Sequence, residues 1–274
     1  MKWEIIGKSV QGALHKRKES RCQDKILWEI FGSSAVLAIA DGHGSERSPK
    51  SDIGASLAVS VANTVLKEFS NSISADTSLS ISKRLSEYEI PRHIVEGWKK
   101  VVKENHMIGT KEKQSLQPIS GGNVEEDFFV QYGSTLLAVL ATDRFVYFFQ
   151  LGDGDMLVVE EDGSVYSPIP KDEHLIFSET TSLCLPKAWE EVRTAFRVIE
   201  SVAPTLILVS TDGYSNSFKN DEEFLQLGED YLTLIKNENI SYVDCNLEKW
   251  LSETSSQGSG DDITVGIIYH KSTQ

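Results

Sequence analysis

The chain reads as an α+β protein, two antiparallel sheets with helices outside them, and three features carry that reading. Apolar runs of strand length come in two blocks, over residues 1–41 and from about 133 to 211, with a last run at 263–269. Each block is followed by segments whose apolar residues recur at helical spacing. Strands in blocks followed by helices match stacked antiparallel sheets better than the strict strand–helix alternation of a doubly wound parallel sheet.

In the first block, residues 3–10, 26–31 and 34–40 have strand character, with turn-prone Gly32-Ser33 between the last two. From Asp52 the period changes. Ile53, Leu57, Val61, Val65, Leu66 and Phe69 share one helical face, and Ser51 is placed to cap it. Residues 70–80 are rich in Ser and Asn and read as a loop. A second helix is predicted to begin at Pro91 and to turn Ile94, Val95, Trp98, Val101 and Val102 inward. Residues 111–127 read as another surface loop.

The second block is expected to form a meander of strands at 135–141, 145–151 and 156–160. Residues 165–205 contain Pro168, Pro170, Pro186 and Pro204, which exclude a long central strand or helix, and a partly ordered flap is expected there. After the strand at 206–211, Phe224, Leu225, Leu227, Leu232 and Ile235 predict one helix and residues 243–251 a shorter one, followed by a flexible stretch at 252–260. The economical reading is a single domain over 1–274, with loop regions at about 70–130 and the flap at about 165–205.

Composition narrows the function. The 274 residues carry 27 Lys plus Arg against 41 Asp plus Glu, a formal charge of -14. That balance disfavours nucleic acid and anionic membrane as partners unless positive charge is locally concentrated, and no basic run occurs. Cys22, Cys184 and Cys245 are odd in number and far apart, which supports neither a disulfide framework nor a thiolate metal site. Asp143 and Arg144 interrupt the most hydrophobic stretch before it could span a bilayer, and the N-terminal residues lack an apolar signal core. A reducing, cytoplasmic setting is expected.

The chemistry lies in acidic residues at strand ends. Ala35 to Ala40 run directly into Asp41-Gly42-His43-Gly44, Leu206 to Val209 lead to Asp212-Gly213, and Phe145 to Phe149 lead to Gly152-Asp153-Gly154. Gly260-Asp261-Asp262 stands just before the strand that begins at Ile263. In antiparallel sheets such ends share one edge. Carboxylates so gathered cannot all stay ionised without a cation, and hard oxygen ligands suit Mg²⁺ or Mn²⁺ rather than zinc. A calcium loop at Asp153 is excluded, because Leu157 and Val158 stand where an oxygen ligand and a glycine are required.

An isolated Asp-Gly pair is an ordinary turn former. Here Arg21-Cys22-Gln23-Asp24, Ala40-Asp41-Gly42-His43-Gly44, Gly133-Ser134-Thr135, Leu151-Gly152-Asp153-Gly154, Ser210-Thr211-Asp212-Gly213 and Gly260-Asp261-Asp262-Ile263-Thr264-Val265 follow one another in order. This series resembles the metal-dependent serine/threonine protein phosphatases of type 2C over nearly the whole chain, and Gln23-Asp24 with His15 resembles their bacterial branch. The resemblance implies a four-layer α-β-β-α sandwich. It also implies two Mg²⁺ or Mn²⁺ ions: Asp41 bridging both, Asp212 and Asp261 on one, and Asp24 with the carbonyl of Gly42 on the other. In the mechanism it implies, a hydroxide shared by the metals attacks phosphorus with no phosphoenzyme, and His43 protonates the leaving oxygen. Consistently, no serine or cysteine shows the histidine and acidic partners of a side-chain nucleophile.

Two positions depart from the family pattern. Where many members carry a phosphate-binding arginine, five residues before Asp24, this chain has Glu19, and Arg17 and Arg21 on either side are the candidates for the clamp. A third, weaker ion would use Asp153 and the position of Asn216, where bacterial members carry an aspartate. The activity expected is hydrolysis of phosphoserine and phosphothreonine on proteins, opposing a kinase. The alternatives are a catalytically silent, phosphatase-like binding or regulatory domain, and a phosphatase of small esters.

Overall fold

The computed structural model describes residues 2–74, 76–111, 128–170, 181–200 and 202–271. Among the described residues, ten strands form two five-stranded antiparallel sheets. One has the order β1 (Lys2–Val10), β10 (Ile263–Lys271), β9 (Leu206–Ser210), β6 (Asp155–Val159), β7 (Val165–Tyr166). The other runs β2 (Lys25–Phe31), β3 (Ser34–Ala40), β4 (Leu136–Ala141), β5 (Phe145–Leu151), β8 (Arg193–Val198). The helices are α1 (Ala13–Arg17), α2 (Ser51–Ser72), α3 (Leu79–Lys111), α4 (Asp212–Ser215), α5 (Asp221–Asn237) and α6 (Ile240–Gln257), with a 3-10 turn at Ala188–Glu190.

Three apolar layers hold these parts as an α-β-β-α sandwich. Val36, Ala38 and Ala40 of β3 face α2 and α3 in a cluster with Leu66, Trp98 and Phe149. Ala35, Leu37 and Ile39 of the same strand face the other sheet and meet Ile207, Val209 and Ile268. Leu206, Leu208, Val265 and Ile267 turn outward onto Tyr231, Leu232 and Leu247 of α5 and α6. Strands covered on both faces have no polar alternation to keep, which is why β3, β4 and β5 are buried throughout and almost wholly apolar, Ser34 and Gln150 excepted.

Several expectations are corrected. Ser51 is not the cap of α2: Lys50 occupies that position without a side-chain bond, and Ser51 is the first helical residue. The loop expected at 70–80 is confined to the residues between Ser72 and Leu79. Pro91 lies inside α3 rather than at its start. The inward stripe of that helix is Ser82, Ser86, Ile90, Ile94, Trp98 and Val102, all buried at a spacing of four. Its first two members are serines whose hydroxyls bond back to the carbonyls of Ser78 and Lys83, so the first half of the helix shows no apolar period.

The expected meander ends at β5, because β6 pairs with β9 in the opposite sheet. Gly152-Asp153-Gly154 thus carries the chain between sheets. Within the expected flap, Arg193–Val198 is an edge strand on β5. The helix after Asn239 runs to Gln257, through the stretch expected to be flexible, and is slightly longer than α5. Residues 112–127 of the second expected loop and 171–180 of the flap lie outside the described residues.

Helix α3 is fastened to α2 beside the functional edge by Trp98, which is fully buried and donates from Nε1 to the carbonyl of Gly54 at 2.9 Å. Trp98→Ala should lower unfolding free energy by roughly 3–5 kcal/mol through the cavity and the lost indole hydrogen bond. Urea denaturation at fixed pH checks this.

Candidate active site

Strand register brings the predicted acidic residues to one edge. Lys25 pairs with Ala40, so Asp24 before β2 and Asp41 after β3 emerge together. Ser210 pairs with both Val265 and Asp155, which gathers Asp212 after β9, Asp261 before β10 and Asp153 before β6 at the same end of the other sheet. The two sheets are joined there by Thr211 Oγ1, which donates to Asp24 Oδ2 at 2.8 Å while accepting from the backbone of Thr264 at 3.0 Å.

Backbone bonds fix the central loop. Thr135 N donates to Asp41 O at 2.8 Å and Asp41 N to Thr135 Oγ1 at 3.1 Å, and Gly42 forms a bridge with Ser134. Glycine is required at 42 by close approach: a Cβ there would lie 2.7 Å from the carbonyl of Ser51. A Cβ on Gly133 would lie 2.4 Å from the ring of His43, so that glycine makes room for the imidazole.

The carboxylates are charged only at a cost. Asp24 is 2% exposed, and its Oδ1 has no hydrogen-bond partner among the described residues. Burial first, then the Asp262 charge, push its pKa up to about 7, against the pull of the Thr211 bond. Burial, reinforced by the charges of Asp24 and Asp212, holds Asp41 well above the carboxylate range. Asp212 is pushed up to about 6 by burial and by Asp153. Asp41 feels the charges of Asp24, Asp212 and Asp261 together, so the direction and causes of the shifts make it the group of the cluster most disposed to keep a proton.

Whether these residues suit a divalent cation is decided by their chemistry. They are all hard oxygen donors, one of them is a buried oxygen with no donor, and protons now supply the balancing charge. The set fits. Among the described residues, however, no three His, Cys, Asp or Glu side chains already stand in a closed ligand arrangement.

The remaining predicted residues differ in how closely they join the cluster. Asp261 is half exposed, with one oxygen accepting from the backbone of Asp262 and lying 3.7 Å from His15 Nε2. Asn216 Nδ2 donates to Asp212 Oδ2 at 3.0 Å, so its amide is engaged with that carboxylate. Arg17 is exposed at the end of α1, and Arg21 is exposed with Nη1 3.6 Å from Asp52. Neither makes an ion pair with the acidic cluster among the described residues. Glu19 between them has a φ of 55°, a left-handed turn that an arginine clamp at that position would also have to adopt.

Three contributors escaped sequence reasoning. Asp262 is buried and accepts from the backbones of Gly12 at 2.6 Å and Gln23 at 2.7 Å, with His15 Nδ1 2.9 Å away, so it ties the N-terminal segment to the site. Its place in an Asp-Asp pair was the available signal. Gln23 accepts from Ser51 Oγ at 2.6 Å. Ser182 Oγ lies 2.7 Å from His43 Nε2 and 3.2 Å from the carbonyl of Ser134. The expectation is that no serine has both the histidine and the acidic partner of a nucleophile; Ser182 meets the histidine, and the Pro-bracketed segment around it gave no sign of that contact. Ser182 is itself 3% exposed. It therefore orients the ring, whose pKa burial lowers against the opposing charge of Asp153.

A family model described as Protein phosphatase 2C matches residues 11–252. The chain belongs to the protein phosphatase 2C family. It is accordingly a serine/threonine protein phosphatase by family, with the α+β sandwich that family shares. Among solved structures it is similar to a bacterial serine phosphatase at 13% identity and a TM-score of 0.64, with all of both chains covered. A serine/threonine phosphatase of S. agalactiae is similar at 16% identity and a TM-score of 0.58, over 98% of this chain and 100% of that one. The catalytic domain of the phosphatase PstP, solved with two manganese ions, is similar at 15% identity and a TM-score of 0.56, over 97% of each chain. At these identities the likeness is one of fold. No curated protein matches the sequence. Among the described residues no helix of this phosphatase is long and apolar enough to cross a membrane.

The elevated carboxyls give the metal-free phosphatase a particular pH dependence. Folded-state values above the ordinary 3.8 mean that Asp24 and Asp212 favour the fold while protonated. That stability is complete below the unfolded pKa and is lost as pH rises through about 6 and about 7. In EDTA, Asp24→Asn should therefore melt progressively higher than wild type as pH is raised across this window. Thermal unfolding of both proteins at a series of pH values measures the divergence.

Proposed function

We propose that this chain hydrolyses phosphoserine and phosphothreonine on proteins with two Mg²⁺ or Mn²⁺ ions held by Asp24, Asp41, the Gly42 carbonyl, Asp212 and Asp261. The observation that carries the reading is the acidic cluster itself, in which burial and mutual charge raise the pKa of Asp24, Asp41 and Asp212 while Asp24 Oδ1 faces no donor. The family match and the manganese in PstP support it. When bound, such ions supply activation of a water for in-line attack and neutralisation of phosphate charge.

The protein's own residues do the rest. Asp24, Asp41 and Asp212 release their protons as they become ligands, and Thr211 and Thr135 keep Asp24 and the Asp41 backbone in place. Arg17 or Arg21 reaches the substrate phosphate. His43, held through Nε2 by Ser182, gives a proton to the departing serine or threonine oxygen, and its lowered pKa makes the imidazolium a stronger acid. Ser182 is not the nucleophile in this scheme, being buried with its hydroxyl against a carbonyl, so no phosphoenzyme forms. Asp153, with Asn216 in place of an aspartate, forms a third and weaker cation position. The unit is read as one phosphatase domain acting in the cytoplasm on phosphoproteins opposite a kinase, without nucleic acid or membrane partners.

The test compares hydrolysis of a phosphothreonine peptide and of p-nitrophenyl phosphate in EDTA, Mg²⁺ or Mn²⁺. Turnover should require metal and fall more than about 100-fold in Asp41→Ala and Asp212→Ala. Turnover of the small ester alone would indicate a small-ester phosphatase. No turnover with any metal would indicate a silent domain.

A further inference from the structure

A chain of charge -14 repels acidic partners over most of its surface. Beside the active-site loop it does the opposite. Lys50 Nζ lies 5.0 Å from the ring centre of Tyr132, Lys103 Nζ 5.7 Å from that of Phe129, and Arg92 Cζ 5.9 Å from that of Trp189. Lys99 stands between them, 5.9 Å from Phe129 and 5.4 Å from Trp189. Aromatic faces hold flexible cations in place without neutralising them. Among the described residues Lys50, Arg92 and Lys103 make no ion pair with a carboxylate. Glu96 and Glu104 are exposed on the same helix but pair with neither Arg92 nor Lys103.

The platform is continuous with the reacting end of the molecule. Lys50 N donates to Gln131 O at 2.9 Å and Gly133 O accepts from His43 N at 3.1 Å, so the Phe129–Gly133 turn whose rings hold Lys50 and Lys103 also seats the imidazole. Arg92 and Lys103 are eleven positions apart in α3, roughly 16 Å along its axis, the length of about five extended residues.

We infer that this phosphatase prefers phosphoserine or phosphothreonine within acidic polypeptide, the acidic flank lying across the platform of Lys50, Arg92 and Lys103. The inference rests on the phosphatase reading above and adds the substrate's flanking chemistry. The aromatic rings hold Lys50, Arg92 and Lys103 in place, and the flank's carboxylates supply the countercharges that these three lack.

Three phosphothreonine peptides, with Asp/Glu, Ser/Gln or Lys flanks, test this with the full chain in Mn²⁺. The acidic peptide should exceed the basic one in kcat/KM by about tenfold, a margin that shrinks as NaCl is raised. The double variant Arg92→Glu/Lys103→Glu should abolish or invert that order through KM, with p-nitrophenyl phosphate turnover reporting on the integrity of the cleft. Lys2→Glu, the same kind of charge reversal at the opposite end of β1, should leave the order intact. Equal kcat/KM on all three peptides alongside normal ester turnover would overturn the inference, as would an acidic preference that survives the double variant. Loss of turnover on every substrate would instead count against the phosphatase reading. Fluorescence anisotropy of the labelled peptides would then decide the platform separately: selective acidic-peptide binding lost in the double variant supports it, and equal binding overturns it.

Discussion

Carboxylates gathered at one edge of two sheets and largely removed from water are the constraint around which this molecule is arranged. Asp24, Asp41 and Asp212 come from three strand ends in two sheets, and burial raises the pKa of each before any neighbour is considered. Such a cluster persists without a cation only by keeping protons. The Thr211 to Asp24 bond crosses between the sheets at this point, so cluster geometry and sheet packing depend on each other. The same crossing explains why Asp262 is buried alongside: its two backbone bonds anchor the N-terminal segment that delivers Asp24.

The apolar layers serve that arrangement. β3 is buried on both faces and has no freedom to slip in register, because a one-residue shift would exchange Ala35, Leu37 and Ile39 with Val36, Ala38 and Ala40 between two differently shaped surfaces. A fixed register at β3 fixes where Asp41 leaves the sheet. On the outer side, α2 begins against Gly42 and α3 is held by Trp98, so the helices that cover the sheet also frame the loop carrying His43.

What the sequence shows plainly is whatever one chain segment determines alone. The apolar runs ending in Asp41 and Asp212 gave both the strands and their acidic ends, and α2 showed its period from Ile53 to Phe69. What it hides is decided by partners distant in sequence. The first half of α3 turns serines inward, the passage of β6 into the other sheet depends on its pairing with β9, and β8 is a strand only because β5 offers an edge. The site divides in the same way: the metal-ligand candidates stand in readable motifs, whereas Ser182 and Asp262 matter through bonds to residues 139 and 239 positions away. The basic platform is also invisible as a run, since Lys50, Arg92 and Lys103 come to one face through rings of Tyr132, Trp189 and Phe129 that lie far from them in sequence.

The central claim is that protons occupy the cluster where a divalent cation belongs, and calorimetric titration of Mn²⁺ into the metal-free protein in two buffers of different ionisation enthalpy tests it directly. At a pH near the value of about 6 for Asp212, the account predicts that Mn²⁺ binds and displaces protons, fewer of them as pH is raised beyond the value of about 7 for Asp24. Binding with no proton release at either pH, or no binding at all, would contradict it.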